Sequence, residues 1–267
     1  MEKKLPGVFP ATKKDGTVYY RSSITYKRKH ISLGSYDTPF KACAAYLEAS
    51  SLITDDSLSL ADYSELRVLP FSKWVSLINF RDNNIYIATP IYLHPKHFEY
   101  MLSPTQILKF DIDDLFYYST RTIMQRGRHF FVADYGMQVN IANRYGIKNY
   151  AVQDRDYRFV NGDRMDFRYE NIEIYNSYHG VTRKESKKGI RYTAKIHING
   201  NYTIGTYATD TEAAIAYNKA IDILKKAGVT KNFAPNYLEG LSPSTYADIY
   251  SKLPVSQKII NYKPSLM

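Results

Sequence analysis

Cysteine is almost absent from this 267-residue sequence, tryptophan occurs once, and apolar residues never form a run long enough to cross a membrane. The lone cysteine, Cys43, excludes an internal disulfide framework and a zinc site made of cysteine ligands, and we expect it in a helix core. The sequence also lacks a signal peptide, a glycine loop that cradles phosphate and a nucleophile triad. These absences predict an intracellular protein and leave most enzyme classes without support.

Acidic residues are scarce in two segments, so the net charge of +10 is unevenly distributed. Residues 1–50 hold 9 Lys/Arg against 4 Asp/Glu, and residues 179–233 hold 10 against 4. Residues 51–178 hold 14 against 16, and residues 234–267 hold 3 against 2. Concentrated positive charge is typical of surfaces that bind phosphate, although an ordinary solvated basic surface would give the same counts.

The segment 180–233 has the clearest pattern in the chain. Its residues 191–197 alternate with a period of two, which predicts a strand with one buried face. We expect the buried face to hold Tyr192, Ala194 and Ile196. We expect the outward face to hold Arg191, Thr193, Lys195 and His197. The outward face of this strand is therefore basic.

An Asn-Gly pair marks a hairpin turn after this strand. A three-residue loop over 198–200, with its glycine left-handed, would place His197 opposite Asn201 and Lys195 opposite Thr203. A two-residue turn would instead flip the second strand, so the sequence leaves both registers open.

A helix follows the hairpin. Thr209 and Glu212 have the spacing of a capping box, apolar residues then recur at helical spacing, and Gly228 ends the run. This helix would cover the apolar side of the sheet and leave the basic side bare. A bare cationic sheet can enter the major groove of DNA and read base edges while flanking cations bind phosphates.

The same segment resembles the Apetala-two, or ethylene-response-factor, DNA-binding domain. The matching stretches are Gly180-Val181, 192–196, 204–207, 211–217 and Asn232-Phe233. The resemblance implies base contacts from the outward residues of the second and third strands: Arg191, Lys195, His197, Asn201 and Thr203. Among the flanking cations, we expect phosphate contacts from Arg183, Lys184, Lys187 and Lys188. Thr203 replaces an outward tryptophan of the family, so the family's base preference does not carry over.

Residues 7–50 repeat this pattern at an offset that drifts from 173 to 171 residues. Gly7-Val8 corresponds to the first stretch, and Thr38-Pro39 begins the helix. We expect an outward face that holds Arg21, Ser23, Thr25, His30 and Ser32. We expect phosphate contacts from the turn residues Lys27, Arg28 and Lys29. The alternative is a basic hairpin that only packs on its neighbours.

The segment 144–176 contains an ordered skeleton made of 160–163, Asp166, Arg168, 170–172 and Ile174. This order resembles the HNH nuclease domain of phage-type homing endonucleases, which often carries a C-terminal domain of the kind at 180–233. In the family, an Asp-His pair before the Asn-Gly turn and a later Asn or His bind metal and activate water. Here these positions hold Arg158, Phe159 and Phe167. The resemblance therefore implies the family's ββα fold without catalysis, metal or cofactor.

Charged residues around this skeleton leave alternatives open. A displaced metal site could use Asp154, Asp156, Asp163 and Asp166. A nuclease remnant that still binds DNA could contact phosphate through Arg155, Arg158, Arg164 and Arg168. Because the net charge over 51–178 is −2, we favour a scaffold that only spaces the two basic modules.

Two other clusters in the middle of the chain carry possible metal ligands. We interpret Asp111, Asp113 and Asp114 as a helix-start cluster rather than a Mg²⁺ site. His94 and His97 have the spacing of a metal pair, but a proline lies between them and no acidic ligand set stands nearby. We interpret them as part of a surface loop and predict no metal site.

The sequence thus predicts an α+β protein in which two small domains, each a three-stranded sheet with a helix, flank a central HNH-like ββα domain. The predicted domains span 1–52, 70–178 and 179–234, with a linker at 53–69 and an extended tail at 235–267. Within the central domain, strands are expected at 85–93 and 129–141.

The predicted function is sequence-specific binding of double-stranded DNA without catalysis. We expect a transcriptional regulator of phage or mobile-element ancestry, in the host cytoplasm with the nucleoid, with no membrane contact. The first alternative is an active HNH-type homing endonuclease with a rearranged site. The second is a protein-binding inhibitor of a host defence complex that uses the tyrosine-rich middle domain.

Overall fold

A computed structural model describes residues 5–187 and 189–264 and has the predicted α+β class. The chain divides into two compact units. The first is formed by residues 1–139 and 164–169, and the second by 140–163 and 170–267. The boundaries predicted after residues 52 and 69 do not correspond to this division.

The described residues of the first unit form three small three-stranded sheets, whose recorded strand pairs are antiparallel, and three α-helices. The N-terminal copy consists of β1 (Val8–Thr12), β2 (Val18–Tyr26), β3 (Lys29–Tyr36) and α1 (Pro39–Thr54). It is followed by α2 (Phe71–Asn83), β4 (Ile91–Leu93), β5 (His97–Ser103) and β6 (Gln106–Asp111). The remaining elements are α3 (Leu115–Ser119), β7 (Ile123–Arg126), β8 (His129–Asp134) and β9 (Met137–Asn140).

The predicted linker at 53–69 is part of the first unit's core rather than a spacer. Leu69 is fully buried in the apolar cluster that also contains Ile31 of β3 and Trp74 of α2. The Glu48 carboxylate accepts hydrogen bonds from the backbone N–H groups of Val68 at 3.1 Å and Leu69 at 2.9 Å. Helix α2 therefore completes the core that the N-terminal copy begins, which is why no boundary falls at either end of 53–69.

Two predicted strands of the middle segment are shorter than expected. Of the span 85–93, only the last three residues form β4, because the Asn79 side chain holds the carbonyl of Ile85 at 2.8 Å just after α2 ends. The span 129–141 contains β8 and β9 rather than one strand. Tyr135 and Gly136 separate them, with φ angles of 47° and 78° that are typical of a tight hairpin turn.

The second unit holds a two-stranded sheet, the C-terminal copy and a helical tail. The two-stranded sheet pairs β10 (Tyr157–Phe159) with β11 (Ile172–Ile174). The C-terminal copy consists of β12 (Val181–Ser186), β13 (Gly189–His197), β14 (Asn201–Tyr207) and α4 (Asp210–Lys226). The tail carries α5 (Pro243–Lys252) and α6 (Gln257–Ile260).

The prediction of an extended tail is wrong, because α5 is a ten-residue helix. The Ser242 side chain accepts a hydrogen bond from the N–H of Thr245, and Pro243 occupies the first helical position, where its missing N–H costs nothing. Lys219 of α4 donates to the carbonyls of Tyr250 at 2.7 Å and Leu253 at 2.9 Å. The lysine thus satisfies carbonyls at the end of α5 and fastens the helix to the C-terminal copy.

The ββα fold implied by the HNH resemblance is present only in part. Strands β10 and β11 pair in the expected order, with Phe159 opposite Ile172. No helix follows β11, since the chain enters β12 after residues 175–180. Asn176 holds this short connection in place by donating to the Asp156 carboxylate at 2.8 Å and accepting from the N–H of Arg183 at 2.8 Å.

The two copies share details that the sequence match alone does not contain. In each, the pairing of the second and third strands shifts at one position, between Ser22 and Ser23 and between Ala194 and Lys195. In each, a threonine side chain caps the following helix, and in the C-terminal copy Thr209 and Glu212 form the predicted capping box. The internal repeat therefore extends to the sheet irregularity and the helix start.

Candidate nucleic-acid interface

The register of the C-terminal hairpin is the one given by a three-residue loop. His197 lies opposite Asn201, and Lys195 lies opposite Thr203, as predicted. Gly200 is not left-handed, so that part of the prediction is wrong. The N–H of Ile198 closes the loop by donating to the carbonyl of Gly200 at 3.0 Å. Lys231 supports the tip by donating to the carbonyl of His197 at 2.9 Å.

The outward face of this sheet follows from strand alternation, because Val181 and Ala194 are paired and buried against α4. In the part of the chain that the structure describes, this face contains no Asp or Glu. Its exposed residues are Lys184, Ser186, Arg191, Lys195, His197, Asn201, Thr203 and Thr206. All five predicted base-contacting residues therefore lie exposed on one face.

Two cations on this face lie directly opposite each other. Lys184 of β12 pairs with Arg191 of β13, and neither they nor Lys195 have a carboxylate partner among the described residues. Like charges directly across an antiparallel pair destabilise a sheet. A bound polyanion would remove this repulsion.

One residue of the predicted outward face is buried, and one of the predicted flanking cations lies on the opposite side of the sheet. Thr193 is only 3% exposed, and its hydroxyl lies 3.2 Å from that of Thr206 on the neighbouring strand. Arg183 shares the helix side of β12 with Val181, where its guanidinium lies over the Tyr175 ring at 5.4 Å and 3.7 Å from Glu185. Of the other predicted phosphate ligands, Lys184 and Lys187 are exposed. Lys188 lies outside the described residues.

A cleft of about 430 Å³ adjoins the outward face within the second unit. Lys195, His197 and Asn201 form one side, and the aromatic rings of Tyr150 and His179 contact each other at 4.9 Å on another. Burial lowers the pKa of the His179 imidazole below its ordinary value of 6.5. The cleft therefore combines cationic, amide and aromatic groups next to the predicted base-reading residues.

The outward face of the N-terminal copy carries less charge. Arg21, Ser23, His30 and Ser32 line a shallow depression of about 360 Å³ together with Phe9. Arg21 occupies the position that corresponds to the buried Thr193 of the C-terminal copy. Arg21 is therefore the only permanently charged residue among the five predicted for this outward face.

Two of the three cations in the predicted phosphate-binding turn of this copy contact other residues of the first unit. The Lys27 ammonium donates to the side chain of Asn84 and, at 3.4 Å, to the carbonyl of Arg81, so it serves as a cap for α2. Lys29 lies 5.7 Å from the centre of the Tyr86 ring. Arg28 is exposed, with a left-handed φ of 65°. Lys27 is thus hydrogen-bonded within the first unit, and its predicted phosphate contact stays a prediction.

Of the three positions that correspond to the metal-binding and water-activating residues of the HNH pattern, Phe159 and Phe167 lie in the apolar core and Arg158 is exposed. Phe159 is 8% exposed, and Phe167 is 5% exposed and stacks on Phe110 with ring centres 5.7 Å apart. Neither side chain can bind metal or accept a proton. Among the described residues, Asp154, Asp156, Asp163 and Asp166 contribute to no group of three possible metal ligands.

Three of the four arginines proposed for phosphate contacts are already paired with carboxylates. Arg155 contacts Asp156 at 2.5 Å, Arg158 contacts Glu173 at 2.8 Å, and Arg168 contacts Asp166 at 2.6 Å. Arg164 is exposed. Burial opposes the charged form of Asp156, but hydrogen bonds from Arg155, Val152 and Asn176 outweigh it and lower the pKa of this carboxyl. Arg155, Arg158 and Arg168 are thus engaged in ion pairs within the fold.

Of the two clusters of possible metal ligands in the middle segment, one lies as predicted and the other does not. The aspartates at 111, 113 and 114 begin a short helical turn, as interpreted from the sequence. The prediction that no acidic ligand set lies near His94 and His97 is wrong, because Oε2 of Glu99 lies 3.2 Å from Nε2 of His94. These three form the only potential metal-binding group among the described residues. The sequence pattern that could have indicated this group is His-x-x-His-x-Glu over residues 94–99, which form a hairpin.

In the described part of the chain, no helix has the length and apolar character needed to span a membrane. Comparison of the chain with protein-family models, with curated proteins and with solved structures finds no match.

Proposed function

We propose that this chain is a non-catalytic, sequence-specific double-stranded DNA-binding protein that acts as a transcriptional regulator of phage or mobile-element ancestry. The observation that carries the proposal is the outward face of the C-terminal sheet, on which Lys184 and Arg191 lie opposite each other and which holds no Asp or Glu among the residues that the structure describes. Such a face fits a partner with closely spaced negative charges.

The proposed mechanism separates phosphate contacts from base contacts. Lys184 and Lys187 bind the DNA backbone and fix the register of the sheet in the major groove. Arg191 and Lys195 donate to the acceptors of guanine, and Asn201 pairs with adenine. The N-terminal copy contributes a second, less charged contact through Arg21, and its tether to the first raises the overall affinity through effective concentration.

Absence of catalysis is part of the same proposal. The positions that hold the metal-binding and water-activating residues in the HNH family are occupied by Arg158, Phe159 and Phe167. Both phenylalanines are buried, and Arg158 is engaged by Glu173. A remnant of this composition supports a lineage that kept DNA binding and lost cleavage.

A protein partner is the second candidate, and two exposed aromatic side chains favour it. Phe116 is 86% exposed and Tyr135 is 95% exposed, both in the middle segment of the first unit. Large exposed aromatics are characteristic anchors of protein interfaces. A partner bound there would make the basic face dispensable, which separates the two candidates experimentally.

The test is selection of bound duplexes from a random library in the presence of Mg²⁺, with the products separated on a denaturing gel. We expect an enriched motif with intact strands. Lys195→Glu should abolish the enrichment, whereas Lys225→Glu, on the exposed side of α4, should retain it. Cut strands would contradict the loss of catalysis. Absence of binding at low salt, or equal binding by Lys195→Glu, would reject the DNA proposal.

A further inference from the structure

We propose that His94, His97 and Glu99 form a binding site for one divalent transition-metal ion of the zinc class. The site lies in the first unit, at the hairpin that joins β4 and β5, and it does not depend on the proposed DNA binding. The N–H of His94 donates to the carbonyl of His97 at 2.9 Å, so Pro95 and the following lysine form the turn between them. The proline that separates the two histidines in the sequence therefore brings their side chains together.

The side chains of this hairpin converge on one point. The imidazole rings of His94 and His97 stack with centres 4.6 Å apart and an interplanar angle of 13°. Glu99 follows His97 by two residues on β5, so both side chains leave the same side of the strand. One ligand atom from each of the three residues lies within 4.8 Å of the others.

One pair of ligand atoms already has the separation that a tetrahedral metal ion requires. Metal–nitrogen and metal–oxygen bonds of about 2.0–2.2 Å place neighbouring ligand atoms roughly 3.3–3.5 Å apart. The distance between Nε2 of His94 and Oε2 of Glu99 is 3.2 Å. All three ligand atoms lie within 4.8 Å of one another, so a small adjustment of the side chains completes the arrangement.

An unsatisfied nitrogen gives the site a second, independent argument. Nε2 of His94 is buried and has no hydrogen-bond partner among the described residues, although Oε2 of Glu99 lies 3.2 Å away. A buried polar atom without a partner destabilises the fold. A metal ion on the lone pair of this nitrogen would satisfy it and accept the Glu99 oxygen as a second ligand.

The surrounding charges and the ligand types define the ion. Two imidazoles and one carboxylate favour zinc-class ions over Mg²⁺ and Ca²⁺, which prefer oxygen ligands. The nearby Arg168 is neutralised by two hydrogen bonds to Asp166, at 2.9 and 2.6 Å. Lys109 lies opposite Glu99 on β6 and opposes cation binding. Three protein ligands leave one position of a tetrahedral ion for water.

Titration of the metal-free full chain with Zn²⁺, followed by calorimetry and thermal unfolding, tests the proposal. We expect one saturable equivalent and a higher unfolding temperature. His94→Ala, His97→Ala and the isosteric Glu99→Gln should each weaken binding by more than about tenfold, and Lys109→Ala should strengthen it. His129→Ala removes an exposed histidine elsewhere and should leave binding unchanged.

A spectroscopic readout keeps the test decisive if a variant is poorly folded. Co²⁺ should give intense visible absorption with the wild-type chain, and Zn²⁺ but not Mg²⁺ should remove it. Absence of saturable Zn²⁺ uptake by the wild type would overturn the proposal. Equal uptake by folded Glu99→Gln and His97→Ala would also overturn it.

Discussion

Gly180 lies directly against the ring of Tyr217. A Cβ atom on Gly180 would be 2.4 Å from Cε2 of the ring and 2.6 Å from the carbonyl oxygen of Lys195, and the residue has a left-handed φ of 74°. Gly7 and Tyr46 have the same relationship in the N-terminal copy, where a Cβ atom on Gly7 would be 2.1 Å from Cδ2 of the Tyr46 ring. In both copies, a glycine thus lets the chain enter the first strand in close contact with the helix.

Gly180→Ala is predicted to destabilise the second unit strongly. The new methyl group would overlap the backbone oxygen of Lys195 as well as the ring of Tyr217, and alanine disfavours the left-handed conformation, so we expect a loss of at least about 2 kcal/mol. Urea unfolding followed by circular dichroism measures the change. Gly200→Ala is the matched control, because no atom lies within 4 Å of its Cβ position. Equal stability of the two variants would contradict this account of the glycine–tyrosine contact.

Unpaired and paired cations should differ in their effect on DNA binding. Lys184→Ala removes a cation that is proposed to contact phosphate and has no carboxylate partner among the described residues, so it should weaken binding and lower the slope of log affinity against log salt by about 1. Arg158→Ala should leave the slope unchanged, because Glu173 already neutralises that arginine. Fluorescence anisotropy at several salt concentrations provides the measurement. A reduced slope in Arg158→Ala would show that the ion pair opens on DNA.

Lys27→Met should reduce stability more than it reduces DNA affinity. Its ammonium group satisfies the carbonyl of Arg81 and the side chain of Asn84 at the end of α2, so its removal should cost about 1 kcal/mol. Arg28→Gly should instead increase stability, since glycine adopts the left-handed φ of 65° without strain. Thermal unfolding monitored by Trp74 fluorescence compares the two. Loss of affinity at unchanged stability in Lys27→Met would assign the lysine to phosphate.

The second unit should lose stability as the pH falls below 6.5. Burial lowers the pKa of His179 in the folded chain, so between that lowered value and 6.5 the unfolded chain binds more protons, and folding becomes less favourable as the pH decreases. His179→Phe keeps a ring against Tyr150 and Tyr217 but cannot titrate. Amide hydrogen exchange in α4 at pH 7.5 and pH 5.0 measures the effect. An identical decline in the variant would assign it to other groups.

Periodicity and turn chemistry made much of the C-terminal copy predictable from the sequence. The alternation around Lys195 predicted the outward face, and the spacing of Thr209 and Glu212 predicted the start of the helix. Both features depend on interactions between residues that are close in the chain. Prolines recur through the tail, and this composition predicts an extended segment. Pro243 instead occupies the first turn of α5, where a serine caps the helix and a proline is favourable.

Features that depend on distant residues were not predictable in this way. The burial of Thr193, the engagement of Lys27 by Asn84 and the position of Glu99 beside His94 arise from tertiary packing and strand pairing. Local patterns contain no information on which cations will find a partner within the fold. The sequence therefore identified the basic modules more reliably than it identified the individual residues left free to bind.

The tail residue Ser256 has a consequence for self-association. Its N–H donates to the carbonyl of Ile204 at 2.8 Å, and its hydroxyl donates to the carbonyl of Thr203 at 2.9 Å. These carbonyls belong to β14, the outermost strand of its sheet, and unpaired edge groups of this kind recruit strands from other molecules. The tail therefore blocks the edge at which two copies of the protein could otherwise join their sheets and aggregate.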